Sequence, residues 1–305
     1  MFFPPFSTAI SLTQKGMIRD RPEKPNQDRA LIVPLGDVGM AVYGAFDGHG
    51  ELGHEVAEFV VQQLPNALLR QSHLLDGTTS LTQVTDGLVA AVCDINERLA
   101  SERSDLNCVF SGSTAVFALH RGNQLFVANA GDSRAILCRE PAGEPVPGKG
   151  RFEVVPLSTD HKPECECERQ RILAAGGRVA TIDGPPDEDN GPMRIWLANA
   201  NVPGLALSRV VAGDLCARSI GVSIEPEVLQ HDLDPRDAFA VFASDGVWEF
   251  LTNDQVATLL WTHRHNPAKA AKAIIRAATD QWHANEDGVV DDITCVLVQL
   301  KTSMD

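Results

Sequence analysis

Two apolar runs, far apart in the chain, both stop abruptly at Asp-Gly. The first is VGMAVYGAF, residues 38–46, closed by Asp47-Gly48-His49-Gly50; the second is AFAVFA, residues 238–243, followed by Ser244-Asp245-Gly246. Short runs of β-branched and aromatic residues bounded by turn residues read as buried strands. An Asp at such a strand end is held rigidly, and the Gly beside it lets the backbone approach a ligand closely. Two carboxylates shown this way, one with a histidine beside it, suit a hard cation. The fold must therefore bring two distant strand ends together.

The intervening chain supplies the means. Residues 16–33 lead through polar turn chemistry, with Asn26-Gln27-Asp28, into a short strand. An amphipathic helix is expected over residues 53–70, with Val56, Phe59, Val60 and Leu64 at helical spacing. A Ser/Thr/Gly-rich link at 76–85 precedes a second helix through Val89, Val92, Ile95 and Leu99. Three short strands follow at 113–119, 124–128 and 134–138, with turns at Arg121-Gly122-Asn123 and Gly131-Asp132-Ser133, and they predict an antiparallel meander. Residues 141–150 and 183–192 read as loops, residues 169–175 as a short helix stopped by Gly176-Gly177, and residues 198–220 as irregular chain. Helices at 253–260 and 268–282 and a closing strand at 293–300 complete the pattern. No repeat or boundary splits it, so a single domain over residues 1–305 is expected.

Composition narrows the function classes. Asp and Glu outnumber Lys and Arg by 41 to 26, the opposite of the basic surface a nucleic-acid binder needs. The seven cysteines are irregularly spaced and form no disulfide framework. Cys165-Glu166-Cys167 is too tight and too isolated for zinc. The apolar start, MFFPPFSTAI, is broken by Pro4 and Pro5 and lacks a basic lead, and no run reaches membrane length. The expectation is a soluble, monomeric, intracellular protein of cytoplasm or nucleus, with no nucleic-acid partner and no membrane insertion.

Asp28, Asp47, Asp132, Asp245 and Asp291 each sit at a strand edge or beside a glycine turn. Any one alone reads as ordinary turn chemistry. As a set they point to Mg²⁺ or Mn²⁺, since zinc prefers histidine and cysteine. Two such ions ~4 Å apart can activate a water and clamp a phosphoryl group.

In this light the order of motifs carries a resemblance. PNQD (25–28), FDGHG (46–50), SGSTAV (111–116), ANAGDSRA (128–135), STDHKP (158–163), Glu168 through RILAAGGRV, PGLALSR (203–209), SDGVWEFL (244–251) and DDITCVLV (291–298) resemble, in that order, the metal-dependent Ser/Thr protein phosphatases of type 2C (the PPM family). The resemblance spans nearly the whole chain. It implies an α+β fold, a four-layer α-β-β-α sandwich of two antiparallel sheets flanked by helix pairs, with a flap-like segment at about 162–220. It also implies two Mg²⁺ or Mn²⁺ ions and a weaker third. Asp47 would be shared by both ions, with the Gly48 carbonyl on one of them. Asp245 and Asp291 would hold the first, and Asp28 would act through water. Asp132, equally readable as a turn cap, would share the third with Asp245. Asp292 stands where the family often has Asn.

The implied chemistry is hydrolysis of phosphoserine and phosphothreonine in protein substrates by an activated water, without a phosphoenzyme, with His49 as general acid to the leaving alkoxide. Three departures stand out. The family's phosphate-binding arginine position holds Glu23, which leaves Arg21 as the choice, with Arg19 and Lys24 nearby. The flap segment Ser208-Arg209-Val210-Val211-Ala212-Gly213-Asp214 is one residue longer than usual, and Glu249 stands where Asp is frequent. The alternatives are a pseudophosphatase acting as a scaffold, an active signalling module whose flap engages a kinase or receptor, and a hydrolase of small phosphate esters. Trp196 would be a contact in the signalling case, or else a core residue.

Overall fold

The computed structural model describes residues 6–35, 39–75, 79–142, 152–182 and 191–300. The strand Met40–His49 sets the architecture. Met40, Val42 and Phe46 face one way, packing on Val56, Val60 and Leu64 of helix Gly53–Arg70 and on Leu88, Val92 and Ile95 of helix Leu81–Glu102. Ala41, Tyr43 and Ala45 face the other way, onto Phe242, Val296 and Val298 of a second sheet. Burial on both faces is why this strand reads as an unbroken apolar run instead of an alternating one. Each large side chain so buried contributes about 1.5–3 kcal/mol.

The second sheet repeats the logic. Val241, Ala243, Cys295 and Leu297 turn outward onto Val256, Leu260, Ile274 and Trp282 of helices Asn253–Thr262 and Pro267–Asn285. Three stacked apolar interfaces make the four-layer α-β-β-α sandwich that the motifs led us to expect.

The first sheet runs Ala212–Gly213, Gly112–Ser113, Met40–His49, Ala115–Arg121, Gln124–Ala130, Glu227–Asp232, with Asp28–Leu35 also paired to Met40–His49. The second runs Phe6–Gln14, Ile293–Leu300, Asp237–Ala243, Arg134–Arg139, Glu153–Pro156. All these pairings are antiparallel.

The expected three-strand meander is corrected here. Ala115–Arg121 and Gln124–Ala130 do pair, but Arg134–Arg139 pairs with Asp237–Ala243 in the other sheet. The chain crosses between sheets at Gly131-Asp132-Ser133, where Gly131 has φ +121°, a backbone open to glycine. A crossing and a hairpin share the same turn residues, so the sequence could not tell them apart.

Two further readings shift. The link at 76–85 is shorter than expected, because Ser80 and Gln83 form a capping box and start the helix at Leu81. The chain at 198–220 is not wholly irregular. It holds Pro203–Leu205, Ala212–Gly213 and the helical turn Leu215–Arg218, elements too short to carry a period.

Pro203–Leu205 joins Gly177–Ala180 and Arg194–Leu197 in a three-stranded sheet beside helix Glu166–Ala174. Buried Glu168 ties this segment together, accepting from Arg171, Arg209 and the Ser208 hydroxyl at 2.7 Å each. Trp196 is a core residue of this small sheet, its indole N–H donating to Ala180 O at 2.9 Å.

The start of the first core strand at Val38, the apolar N-terminal residues 1–5, and most of the loops at 141–150 and 183–192 lie outside the described residues. Among the described residues, no helix is long and apolar enough to cross a membrane.

Candidate active site

Four of the five singled-out aspartates flank strand ends on one edge of the sandwich, and the fifth sits at the crossing turn. Asp28 opens its strand directly opposite Asp47 in the register of the first sheet. Asp47 is fixed by Thr114, whose hydroxyl accepts from the Asp47 N–H at 3.2 Å and whose N–H donates to Asp47 O at 2.8 Å. Gly48 continues that strand, its N–H donating to Gln27 O at 3.1 Å. From the second sheet, Asp245 follows the strand Asp237–Ala243, and Asp291 precedes the strand Ile293–Leu300. Asp132 lies at the crossing between sheets.

Asp47, Asp132 and Asp245 each offer a carboxylate oxygen to a group whose members lie within 4.8 Å of one another. Asp28 is brought in by Ser244. The Thr294 N–H donates to Ser244 Oγ at 3.0 Å, and Ser244 Oγ donates to Asp28 Oδ2 at 2.6 Å.

This much negative charge in one place is costly unless something compensates it. Burial pushes the Asp28 carboxyl up to about 7, against the lowering pull of its Ser244 and Thr294 hydrogen bonds. Burial, and then the charges of Asp245, Asp28 and their neighbours, hold Asp47 well above the carboxylate range. Asp245 is raised in the same way, by burial and then by Asp132 and Asp291, and Asp291 is raised chiefly by burial.

Three buried oxygens in the cluster, Asp28 Oδ1, Asp132 Oδ1 and Asp245 Oδ1, have no hydrogen-bond donor. Buried acceptors rarely go unpaired. An all-carboxylate set with orphaned oxygens fits a hard, oxygen-seeking divalent cation.

Two lysines border the acids. Lys24 Nζ lies 3.5 Å from both Asp291 and Asp292. Its pKa is raised because the charges of Asp291, Asp292 and Asp47 outweigh its burial. Lys162 pairs with Asp132 Oδ2, and its pKa is raised by Asp132, Asp245 and Glu249 against its burial.

The two C-terminal acids play different parts. Asp292 is buried and accepts from Gly16 N–H at 2.7 Å and Gln27 N–H at 2.8 Å, stapling two loops. Asp291 is left facing the cluster and Lys24.

Arg21 is exposed, and its guanidinium makes no ion pair among the described residues. Arg19 is paired with Asp287 at 2.6 Å.

His49 has a partner that the sequence reading did not single out. Its Nε2 lies 2.5 Å from Asp214 Oδ2, and Asp214 is 1% exposed. Burial would lower the His49 pKa; the adjacent Asp214 carboxylate overrides this and raises it. Asp214 sits at φ +49°, the one non-glycine residue in the left-handed region among the described residues, a conformation Asp tolerates better than most. Its N–H donates to Ser111 O at 2.9 Å. A Cβ on Gly112 would fall 2.0 Å from Asp214 Oδ2, so only glycine leaves room for this carboxylate. The signal in the sequence was the Gly-Asp ending the lengthened flap segment.

Comparison with known proteins gives concordant results. A family model described as protein phosphatase 2C matches residues 23–286. A probable protein phosphatase 2C 72 from Arabidopsis thaliana is 36% identical over 283 residues, covering 90% of this chain and 82% of that protein. A second Arabidopsis thaliana protein, probable protein phosphatase 2C 61, is 36% identical over 278 residues, covering 90% and 80%. Among solved structures, a serine-threonine phosphatase 2C from Toxoplasma gondii superposes with a TM-score of 0.77 at 23% identity, covering 98% of both chains. A C. elegans sex determining protein superposes at 0.75 and 23% identity, covering 98% of this chain and 66% of that one. At this identity the two structures are similar in fold.

Proposed function

The chain belongs to the protein phosphatase 2C family, a metal-dependent protein serine/threonine phosphatase, and on that premise we propose that it hydrolyses phosphoserine and phosphothreonine by direct attack of water, with no phosphoenzyme. The observation that carries this reading is the set of three orphaned carboxylate oxygens in an acidic cluster drawn from both sheets. In it, Asp28, Asp47, the Gly48 carbonyl, Asp245 and Asp291 would hold two Mg²⁺ or Mn²⁺ ions, and Asp132 with Asp245 a weaker third. Bound there, such ions supply a water nucleophile at neutral pH and offset charge on the phosphoryl oxygens.

The chain's own residues do the rest. Ser244 fixes the Asp28 carboxylate, and Thr114 fixes the backbone that carries Asp47. His49, its ring set against the Asp214 carboxylate, gives a proton to the departing serine or threonine oxygen, a poor leaving group without one. Arg21, exposed and three residues before Lys24, which lies 3.5 Å from Asp291, would grip the substrate phosphate as a bidentate donor. The contact of Asp214 with His49 supports reading the described part of the 162–220 segment as a flap beside the site, on a single domain, where a phosphoprotein would rest.

The test is the rate of phosphate release from a phosphothreonine peptide with Mn²⁺, with Mg²⁺ and with chelator, beside Asp245→Asn as blank. Metal-dependent release absent from the variant is expected, with no phosphorylated protein found by mass spectrometry after acid quench. A folded protein inactive in every metal would overturn the catalytic reading and favour a scaffold.

A further inference from the structure

We infer that Asp214 is a positioning residue for His49: its buried carboxylate fixes the ring and the tautomer in which the imidazole serves the leaving group. This rests on the general-acid reading of His49. The geometry is specific. Asp214 Oδ2 accepts at 2.5 Å from His49 Nε2, so Nε2 carries a hydrogen and Nδ1 is the nitrogen left to donate. When the proton on Nδ1 passes to the alkoxide, the ring becomes neutral with its remaining hydrogen still on Nε2, facing Asp214. Asp214 stays a carboxylate throughout and takes no proton, as in other carboxylate–histidine pairs.

Three independent features hold the carboxylate where it is. Its backbone occupies the left-handed region at φ +49°, its N–H is bonded to Ser111 O, and its oxygen fills the space that a side chain at Gly112 would need. Gly112 is also the register partner of His49 in the first sheet. The strand that carries the acid and the flap end that carries its partner are therefore locked to the same short strand. A buried carboxylate in a sparsely populated backbone conformation, with its chief side-chain partner on the histidine, is built to hold that histidine.

Leaving-group dependence separates this role from a merely structural one. Phosphothreonine needs a proton on its leaving oxygen; p-nitrophenyl phosphate does not. His49→Ala and Asp214→Asn should each lower kcat on a phosphothreonine peptide beyond any loss on p-nitrophenyl phosphate, by about 100-fold for His49→Ala, the low end of general-acid assistance. In the double variant the selective loss should equal that of His49→Ala alone. Asn tolerates positive φ, so Asp214→Asn should fold. Histidine-selective ¹⁵N labelling of the wild-type protein gives a readout independent of activity, with His49 protonated at Nε2.

Equal losses on both substrates in Asp214→Asn, with a selective loss retained in His49→Ala, would overturn the role of Asp214 and leave His49 standing. Equal losses in His49→Ala would remove the general acid, and Asp214 with it. A wild-type His49 lacking hydrogen at Nε2 would overturn the positioning role even if Asp214→Asn failed to fold.

Discussion

Ser244 donates its hydroxyl proton to Asp28 Oδ2 at 2.6 Å, joining the end of a strand in one sheet to the first residue of a strand in the other. The Ser244 hydroxyl in turn accepts from the Thr294 N–H, so the bridge is anchored in the strand Ile293–Leu300. Ser244→Ala should cost about 1–3 kcal/mol, the scale for stranding a buried polar partner, and should weaken cation binding through a less ordered Asp28. Thermal melts with and without Mn²⁺ check both. An unchanged metal affinity would reduce Ser244 to a packing residue.

Asp47→Asn and Asp245→Asn should lower turnover by about 100-fold or more, several kcal/mol of barrier. In chelator the same variants should melt at or above the wild-type temperature, because each removes one charge from a mutually repelling buried group. Near-normal rates would sink the metal assignment. Melting well below wild type in chelator would sink the account of the repulsion.

Asp291 and Asp292 should separate cleanly. Asp292→Asn sets an amide against the backbone N–H groups of Gly16 and Gln27 and should destabilise the fold by about 1–3 kcal/mol, metal or no metal. Asp291→Asn should leave metal-free stability nearly intact and lower metal affinity. Calorimetric titration of both variants with Mn²⁺, beside their melts, decides the matter; a reversed pattern would exchange their roles.

Glu168 makes the flap acid-sensitive. Burial alone would raise its carboxyl, but bonds from Arg171, Arg209 and Ser208 hold it far below its ordinary value of 4.5. A carboxyl depressed on folding contributes stability fully present above its unfolded pKa and lost as pH falls toward the folded one. The described part of the segment at 162–220 should therefore loosen progressively as pH falls below about 4.5 toward the much lower folded value. Hydrogen exchange should show this, and Glu168→Gln should loosen the flap at neutral pH, since it leaves the half-buried Arg171 and Arg209 without their carboxylate. Exchange in the flap that is insensitive to acid would refute it.

Much of this was legible in the residues. The helix at Gly53–Arg70 matches its expected bounds because four apolar side chains recur at helical spacing against one core. Ile293–Leu300 does so because both its faces are buried. The strand Glu227–Asp232 went unread: it lies at a sheet edge, with Glu227, Leu229 and Asp232 exposed and no residue buried, so it shows no apolar run. The acids were found by local chemistry, Asp beside Gly at the end of an apolar run. What holds them was not found. Ser244 reaches Asp28, and Asp214 reaches His49, through tertiary proximity that no spacing records. The one visible trace of Asp214 was the Gly-Asp of a segment whose extra residue drew attention for another reason.

The order of strands in the second sheet has a consequence for synthesis. Phe6–Gln14 precedes every other described strand, yet among the described residues it pairs along one side only, with Ile293–Leu300, which follows them all. Asp237–Ala243 borders that same late strand. On the ribosome the sheet therefore lacks an inner strand until Ile293–Leu300 has been made, and Asp291 arrives only just before it. A nascent chain can shape its first sheet and display Asp28 and Asp47, yet it carries an incomplete site. The site is complete only once Ile293–Leu300 lies between Phe6–Gln14 and Asp237–Ala243.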